Sequence, residues 1–279
     1  MTLSVLFWNI WGHRDPSGIR DYLRRRPYDL CCLTEVTSMG HPYSPVPRVH
    51  TSTNPDEPPS YIDGLGELQR EFSPSYNIEY ATPAYNTWQC RRTGKDYHGI
   101  GFGSALLERH GLEVLEHASV PILQDTPGVR ERMLQYVVVR MDGHTYVVAH
   151  LHGIWIPENT KGDDPRRDEQ SRQVLRYLDE VARQYSTRRI IFGGDLNLAL
   201  DTDAITILER GSQYCGPLRN LIREDEIDCT RTPRYRKFYL DEQRHADYVF
   251  VSREMCVYGL AVGTATLASD HAPLWLTCR

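Results

Sequence analysis

A chain of 279 residues, 40% hydrophobic and 25% charged, has the composition of an ordinary globular protein and the length of one large domain, expected to span residues 1–279. Its net charge of −5 excludes a surface that attracts nucleic acid everywhere, so any polyanion has to be held by a local basic patch. Seven cysteines, an odd number without a C-x-x-C pair, argue against a disulfide framework and a zinc knuckle; with no apolar run long enough for a membrane span, the expectation is a soluble protein of a reducing cytoplasm.

The continuous apolar runs Leu3–Trp8 and Leu30–Leu33 predict strands buried on both faces, because neither alternates as a half-exposed strand does. Between them "GIRDYLRRR" predicts a first helix whose closing arginines, continuing into "RRRP" at 24–27, complement the helix dipole on a solvated face. Residues 38–60 hold six prolines and little periodicity, which predicts an irregular loop, either a plain connection or a cover over a substrate. Strands come next at Tyr136–Val139, Tyr146–Ala149 and Ile190–Phe192. Before the last of these, "DDPRRDEQSRQVLRYLDEVARQY" spaces Val174, Leu175, Leu178, Val181, Ala182 and Tyr185 as a helix does, after Asp164 as N-cap and Pro165 in the first turn. A short helix, "AITILER", comes after Thr202 or Asp203 as cap and stops at Gly211. Tyr248–Val251 and Leu274–Leu276 predict the last strands.

The residues at the ends of these apolar runs carry the chemistry. Leu3–Trp8 leads to Asn9, Leu30–Leu33 to Thr34 and Glu35, Tyr146–Ala149 to His150 and His152, and Ile190–Phe192, after two glycines, to Asp195 and Asn197. Asp247 opens "DYVFVS", and Ser269, Asp270 and His271 precede "APLWL". Asp and Asn at one strand end are ordinary turn residues, but six such ends on one edge of a rigid sheet would preorganise a site. Glu35 and Asp270 offer the hard oxygen donors that Mg²⁺ or Mn²⁺ prefers. Asp195 can orient or deprotonate a water, and His150 and His271 can hydrogen-bond a phosphate whose charge grows in the transition state. That set suits metal-dependent hydrolysis of a phosphate ester.

In this order, "FWNI", "DLCCLTE", "VVAHLHG", "FGGDLNL", "HADYVFVS" and "ASDHAPL" resemble the endonuclease/exonuclease/phosphatase superfamily, with its deoxyribonuclease I-like fold, over nearly the whole chain. Two weaker echoes are "YHGIGFGSALLER" and "RERMLQYVVVRMDGHTYVVAHLHG". The resemblance implies an α/β catalytic domain built as a four-layer α-β-β-α sandwich with two packed mixed β-sheets. It also implies roles by position. Glu35 would be the principal metal ligand with Asn9 and Asp270 beside it, Asp195 would position the attacking water, and Asn197 would hold a phosphate oxygen. His271, oriented by Asp247, would stabilise the transition state, with His150 facing the phosphate from the other side. His152 is the alternative to His150, since alternate strand residues face one side; the His-Leu pairing favours His150. Thr34 stands where family members usually have Gln.

Substrate contacts are expected in "TRTPRYRKFY", residues 230–239, where Arg231, Arg234, Arg236 and Lys237 interleave with Tyr235, Phe238 and Tyr239. Cations grip phosphates and rings stack on bases, so Thr230, Arg231 and Tyr235 are assigned to a nucleic-acid or nucleotide substrate, with Arg130 and Arg132 reaching the phosphate. A solvated loop is the plain alternative. "HLH" could hold zinc, but "HLHGIWIPENT" offers no further ligand nearby. The expectation is therefore a Mg²⁺-dependent phosphodiesterase, a nuclease acting on DNA or RNA. A phosphoinositide or sphingolipid phosphoesterase of the same fold and a catalytically silent phosphate-binding module are the alternatives.

Overall fold

Each apolar run expected as a strand is one, because each lies in a sheet covered on both faces. The computed structural model describes residues 2–40, 43–52, 54, 56–124, 126, 131–156, 158–159, 161–236 and 244–279, with backbone alone for 235 and 236. The first half carries β1 (Leu3–Asn9), β2 (Leu30–Met39), β3 (Arg48–Val49), β4 (Ser60–Tyr61), β5 (Tyr76–Ala81), β6 (Tyr85–Gln89), β7 (Asp96–Arg109) and β8 (Glu113–Ile122). The second half carries β9 (Arg132–Met141), β10 (His144–Leu151), β11 (Ile190–Asp195), β12 (Leu218–Asn220), β13 (Asp247–Ser252), β14 (Val257–Val262) and β15 (Leu274–Cys278). The helices that cover them are α1 (Pro16–Arg24), α2 (Gly64–Phe72), α3 (Pro165–Gln184) and α4 (Asp203–Arg210).

Two large mixed sheets result. One runs β14-β15-β1-β2-β7-β5, with β6 also on β7, and the other runs β12-β13-β11-β10-β9-β8. The parallel pairs β1–β2 and β10–β11 lie at their centres, where strands are buried on both faces. In β1, Leu3, Val5 and Phe7 enter the core between the sheets, while Leu6, Trp8 and Ile10 pack on Ile19 and Leu23 of α1 and Leu68 and Phe72 of α2. The other sheet is covered by α3 and α4 through Val174, Leu178, Val181, Ile205 and Leu208, which completes the four layers. Strands β5, β6 and β8 lie outermost and leave many of their residues partly exposed, which is why they show no continuous apolar run.

Local signals placed the helix ends well. Asp164 Oδ1 accepts the Arg166 N–H at 2.9 Å with Pro165 opening α3, and Gly211 at φ 68° ends α4. Thr202 is the N-cap of α4, but its hydroxyl donates to the Ala199 carbonyl and makes no cap bond. The "RRRP" run is a surface feature, with Arg24 paired to Glu71 and Arg26 lying 3.9 Å over the Trp275 ring. All seven cysteines are free thiols, and no helix among the described residues is long and apolar enough to cross a membrane.

One contact sets how closely the sheets approach. A Cβ added at Gly193 of β11 would lie 3.0 Å from the Phe7 ring and 2.7 Å from the Tyr248 carbonyl oxygen. We therefore expect Gly193→Ala to lower stability by about 1–3 kcal/mol through overpacking. Gly259→Ala, on β14 with open space around it, should change stability by less than about 0.5 kcal/mol in the same urea unfolding series.

Candidate active site

The close approach of β1 and β11 carries their last polar residues into contact. Asn9 continues the inward-facing series of β1, and its Nδ2 donates to Asp195 Oδ2 at 2.8 Å across the two sheets. Asp195 Oδ1 accepts the Asn197 N–H at 3.0 Å, with Asn197 at φ 54°. The turn expected of an Asp-x-Asn stretch is thus present, and it leaves Oδ2 facing the strand ends. Asn197 Nδ2 donates to the Gly153 carbonyl at 3.3 Å and the Gly153 N–H donates to the Asp195 carbonyl at 2.7 Å, which draws the loop after β10 across the end of β11. His152 Nε2 thereby lies 3.7 Å from Asp195 Oδ2 and 3.8 Å from Glu35 Oε1.

Glu35 reaches this cluster because β2 is bulged. Its pairing with β7 shifts between Thr34 and Val36, and Glu35 has φ 57°. Before the bulge Cys31 and Leu33 face the helices, and after it Val36 does. One extra residue has switched the facing order of the strand and released Glu35 from the helix side. Burial pushes the Glu35 carboxyl up to about 7, reinforced by the negative charges of Asp270 and Asp195 and opposed by the Asn9 hydrogen bond.

The imidazole on the other flank is held from several directions. Asp247 sits opposite Asp195 in the β11–β13 register. His271 Nδ1 donates to Asp247 Oδ2 at 2.8 Å, and Nε2 lies 3.5 Å from Asp195 Oδ2. Trp8 Nε1 donates to the His271 carbonyl at 3.0 Å, Ser269 Oγ to the Asn9 carbonyl at 2.7 Å, and Thr232 Oγ1 to the Ser269 carbonyl at 2.7 Å. The Arg231 guanidinium donates to His271 Nε2 and lies 3.6 Å from Asp270 Oδ2. Burial and Arg231 push His271 down to about 4, while burial pushes Asp247 up to about 7.

Of the residues expected at the site, Asn9, Glu35, Asp195, Asn197, Asp247, Asp270, His271 and Arg231 are brought together. His150 is not. Its ring is fully buried, Nε2 donates to Gln135 Oε1 at 3.0 Å, and Nδ1 has no hydrogen-bond partner among the described residues. The i, i+2 rule did not transfer because β10 ends at Leu151, so His152 leaves the pleat. Neither ligand grouping among the described residues contains both histidines, as an H-x-H zinc site would need. Thr230 is buried and supportive, its hydroxyl accepting the N–H groups of Ala246 at 3.1 Å and Asp247 at 3.2 Å. Arg132 opens β9 opposite Ile122. Arg130, residues 237–239 and the side chain of Tyr235 lie outside the described residues. Sequence reasoning missed Lys161, buried, with Nζ on the His245 carbonyl and within the fields of Asp195, Asp247 and Arg231. Burial pushes its ammonium down to about 7, and nothing in "ENTKGDD" signals it.

The chain belongs to the Endonuclease/Exonuclease/phosphatase family, whose sequence model matches residues 6–271. Its fold is similar to an endonuclease/exonuclease/phosphatase from Beutenbergia cavernae (TM-score 0.68, 21% identity, covering 100% of this chain and 71% of that one). It is also similar to the human nocturnin catalytic domain with bound sulfate (0.67, 16%, 100% and 94%). A third similar structure is D. rerio TDP2 with a single-strand DNA product (0.63, 16%, 100% and 99%). No curated protein matches the sequence.

The two histidines should separate cleanly. His150→Ala removes a fully buried, hydrogen-bonded ring and should cost about 1–3 kcal/mol in urea unfolding. His152→Ala should cost less than about 1 kcal/mol and instead diminish the rise in melting temperature on adding Mn²⁺, which for a site at a hundredfold its Kd corresponds to about 2.7 kcal/mol.

Proposed function

We propose that the protein is a Mg²⁺- or Mn²⁺-dependent phosphodiesterase whose substrate is a nucleic acid or nucleotide, and that residues 1–279 form a single catalytic domain. One observation carries this reading. Asp195 belongs at once to two groups of ligand-competent side chains, Glu35–His152–Asp195 and Asp195–Asp247–His271, whose donor atoms lie within 4.8 Å of one another.

The donor set fits a hard divalent cation. Glu35, Asp195 and Asp270 supply carboxylate oxygen in a largely buried space, where the Glu35 carboxyl is raised by burial and, less, by like charges that a cation would relieve. Glu35 would be the principal ligand, with His152 and Asp270 beside it, which leaves Asp195 to act on the water. When bound, it supplies positive charge at the phosphoryl oxygens and a more acidic water.

The chain's own groups supply the rest. Asp195 Oδ2, oriented by Asn9 and by the turn to Asn197, accepts a proton from the attacking water as the new O–P bond forms and the ester P–O bond breaks in line, the leaving oxygen taking its proton from solvent. Arg231, whose guanidinium is placed by His271 Nε2, hydrogen-bonds the phosphoryl oxygens as their charge grows. His271, fixed by Asp247, donates from Nε2 to them when that developing charge draws a proton onto the ring and Arg231 turns to the phosphate. Lys161, held on the His245 carbonyl, offsets the charge of Asp195 and Asp247. The DNA product in D. rerio TDP2 supports a nucleic-acid substrate over a lipid one.

Purified protein should cleave DNA, RNA or nucleotide substrates in preference to phosphoinositides, with Mg²⁺ or Mn²⁺ and not with EDTA. Asp195→Asn and His271→Ala should each lower kcat by about 10²–10⁴-fold. Full metal-dependent activity in both variants would overturn the mechanism.

A further inference from the structure

Beside the carboxylate cluster, opening off Glu35, lies a cavity of about 300 Å³ that the hydrolytic chemistry leaves unused. Three aromatic rings line it among side chains that are otherwise mostly polar. Trp11 lies just past Asn9 at the end of β1, and Trp88 and Phe102 come from the paired strands β6 and β7. The Phe102 ring lies 5.6 Å from Trp88 and 6.3 Å from the His152 ring, so a continuous run of rings joins the cavity to the imidazole beside Asp195.

This wall is held in place. The Arg14 guanidinium lies 4.7 Å over Trp11 and that of Arg234 lies 5.5 Å from the same ring. Arg14 is itself tied to Glu57 at 2.9 Å and to the Pro58 carbonyl at 2.7 Å, so it stiffens Trp11, and its charge acts on Glu35 at the same cavity. Gln89 and Arg91, both exposed, complete the lining with donors that can move. Glu57 and Pro58 belong to the proline-rich stretch, so part of that loop does abut this cavity.

Size and surface chemistry select the occupant. A volume near 300 Å³ is at the small end for ligand pockets and is enough for one base with its sugar. Every nucleobase offers a π-face to an aromatic wall, whereas an inositol ring offers none. An unstacked base reaches such a pocket only from a free nucleotide, a single strand or a flipped position.

We propose that the cavity bounded by Trp11, Trp88 and Phe102 is a base-binding subsite, which takes one unstacked nucleobase next to the phosphate under attack. The substrate is then a free nucleotide or a single-stranded nucleic acid. The position of the phosphate rests on the phosphodiesterase reading; the binding of a base does not.

Calorimetric titration in EDTA tests this without turnover. Adenosine 5′-monophosphate should bind at least about tenfold more tightly than ribose 5-phosphate. Trp88→Ala should erase that ratio, and Trp88→Phe should keep it. A short single-stranded oligonucleotide should compete with adenosine 5′-monophosphate, and its duplex should not. Equal binding of the two phosphates by the unaltered protein, a ratio that survives Trp88→Ala, or equal competition by the duplex would overturn the proposal. Base-dependent binding with no phosphoester cleaved would remove the phosphodiesterase reading and leave the subsite standing. Metal-dependent cleavage without base-dependent binding would do the reverse.

Discussion

The structure depends on how closely β1 and β11 pack, with the Phe7 ring against a residue that has no side chain. With Gly193 there, the inner faces approach until Asn9 and Asp195, each at the end of its strand, meet through a 2.8 Å hydrogen bond. Sheet-on-sheet packing usually joins apolar faces; here the last pair in the stack is polar, and it marks where core becomes site. The residues proposed for the site are referenced to that pair. β2 sets Glu35 beside Asn9, β13 sets Asp247 opposite Asp195, and the Ser269 hydroxyl binds the Asp270–His271 segment to the end of β1.

Electrostatics derive from the packing. Four carboxylates, Glu35, Asp195, Asp247 and Asp270, are collected around one largely buried space, an arrangement that burial and mutual repulsion both oppose. Arg231 and Lys161 offset part of that charge within the protein, while burial first and the neighbouring carboxylates second hold the Glu35 carboxyl up. A site so arranged favours a cation and, beyond it, an anion, which are the two components of metal-assisted phosphoester hydrolysis. On the proposed function, a chain of net charge −5 would meet a polyanion through this local arrangement alone.

Legibility in the sequence tracked burial. The central strands β1, β2, β10, β11, β13 and β15 were visible as continuous apolar runs because both of their faces are covered. Edge strands β5, β6 and β8, exposed on part of their length, carried no such run, and α2 was equally silent. At the site, Asp195, Asp247 and His271 were legible because each stands at the end of a recognisable strand. Lys161 comes from an irregular loop, and its burial beside Asp195 and Asp247 depends on contacts with His245, far along the chain.

The sequence by itself determined the inventory: which strands form, which acids, amides and imidazoles terminate them, and the family they belong to. Local physics suffices for this, since hydrophobic continuity makes a strand and a polar residue ends it. Only the tertiary structure decided which of those groups meet. A bulge turned Glu35 away from the helix side, the end of β10 at Leu151 freed His152 while Gln135 held His150 in the core, and strands far apart in sequence enclosed the cavity of Trp11, Trp88 and Phe102. Each depends on a pairing or a packing contact between distant segments, and side-chain direction at such places is set by the partner.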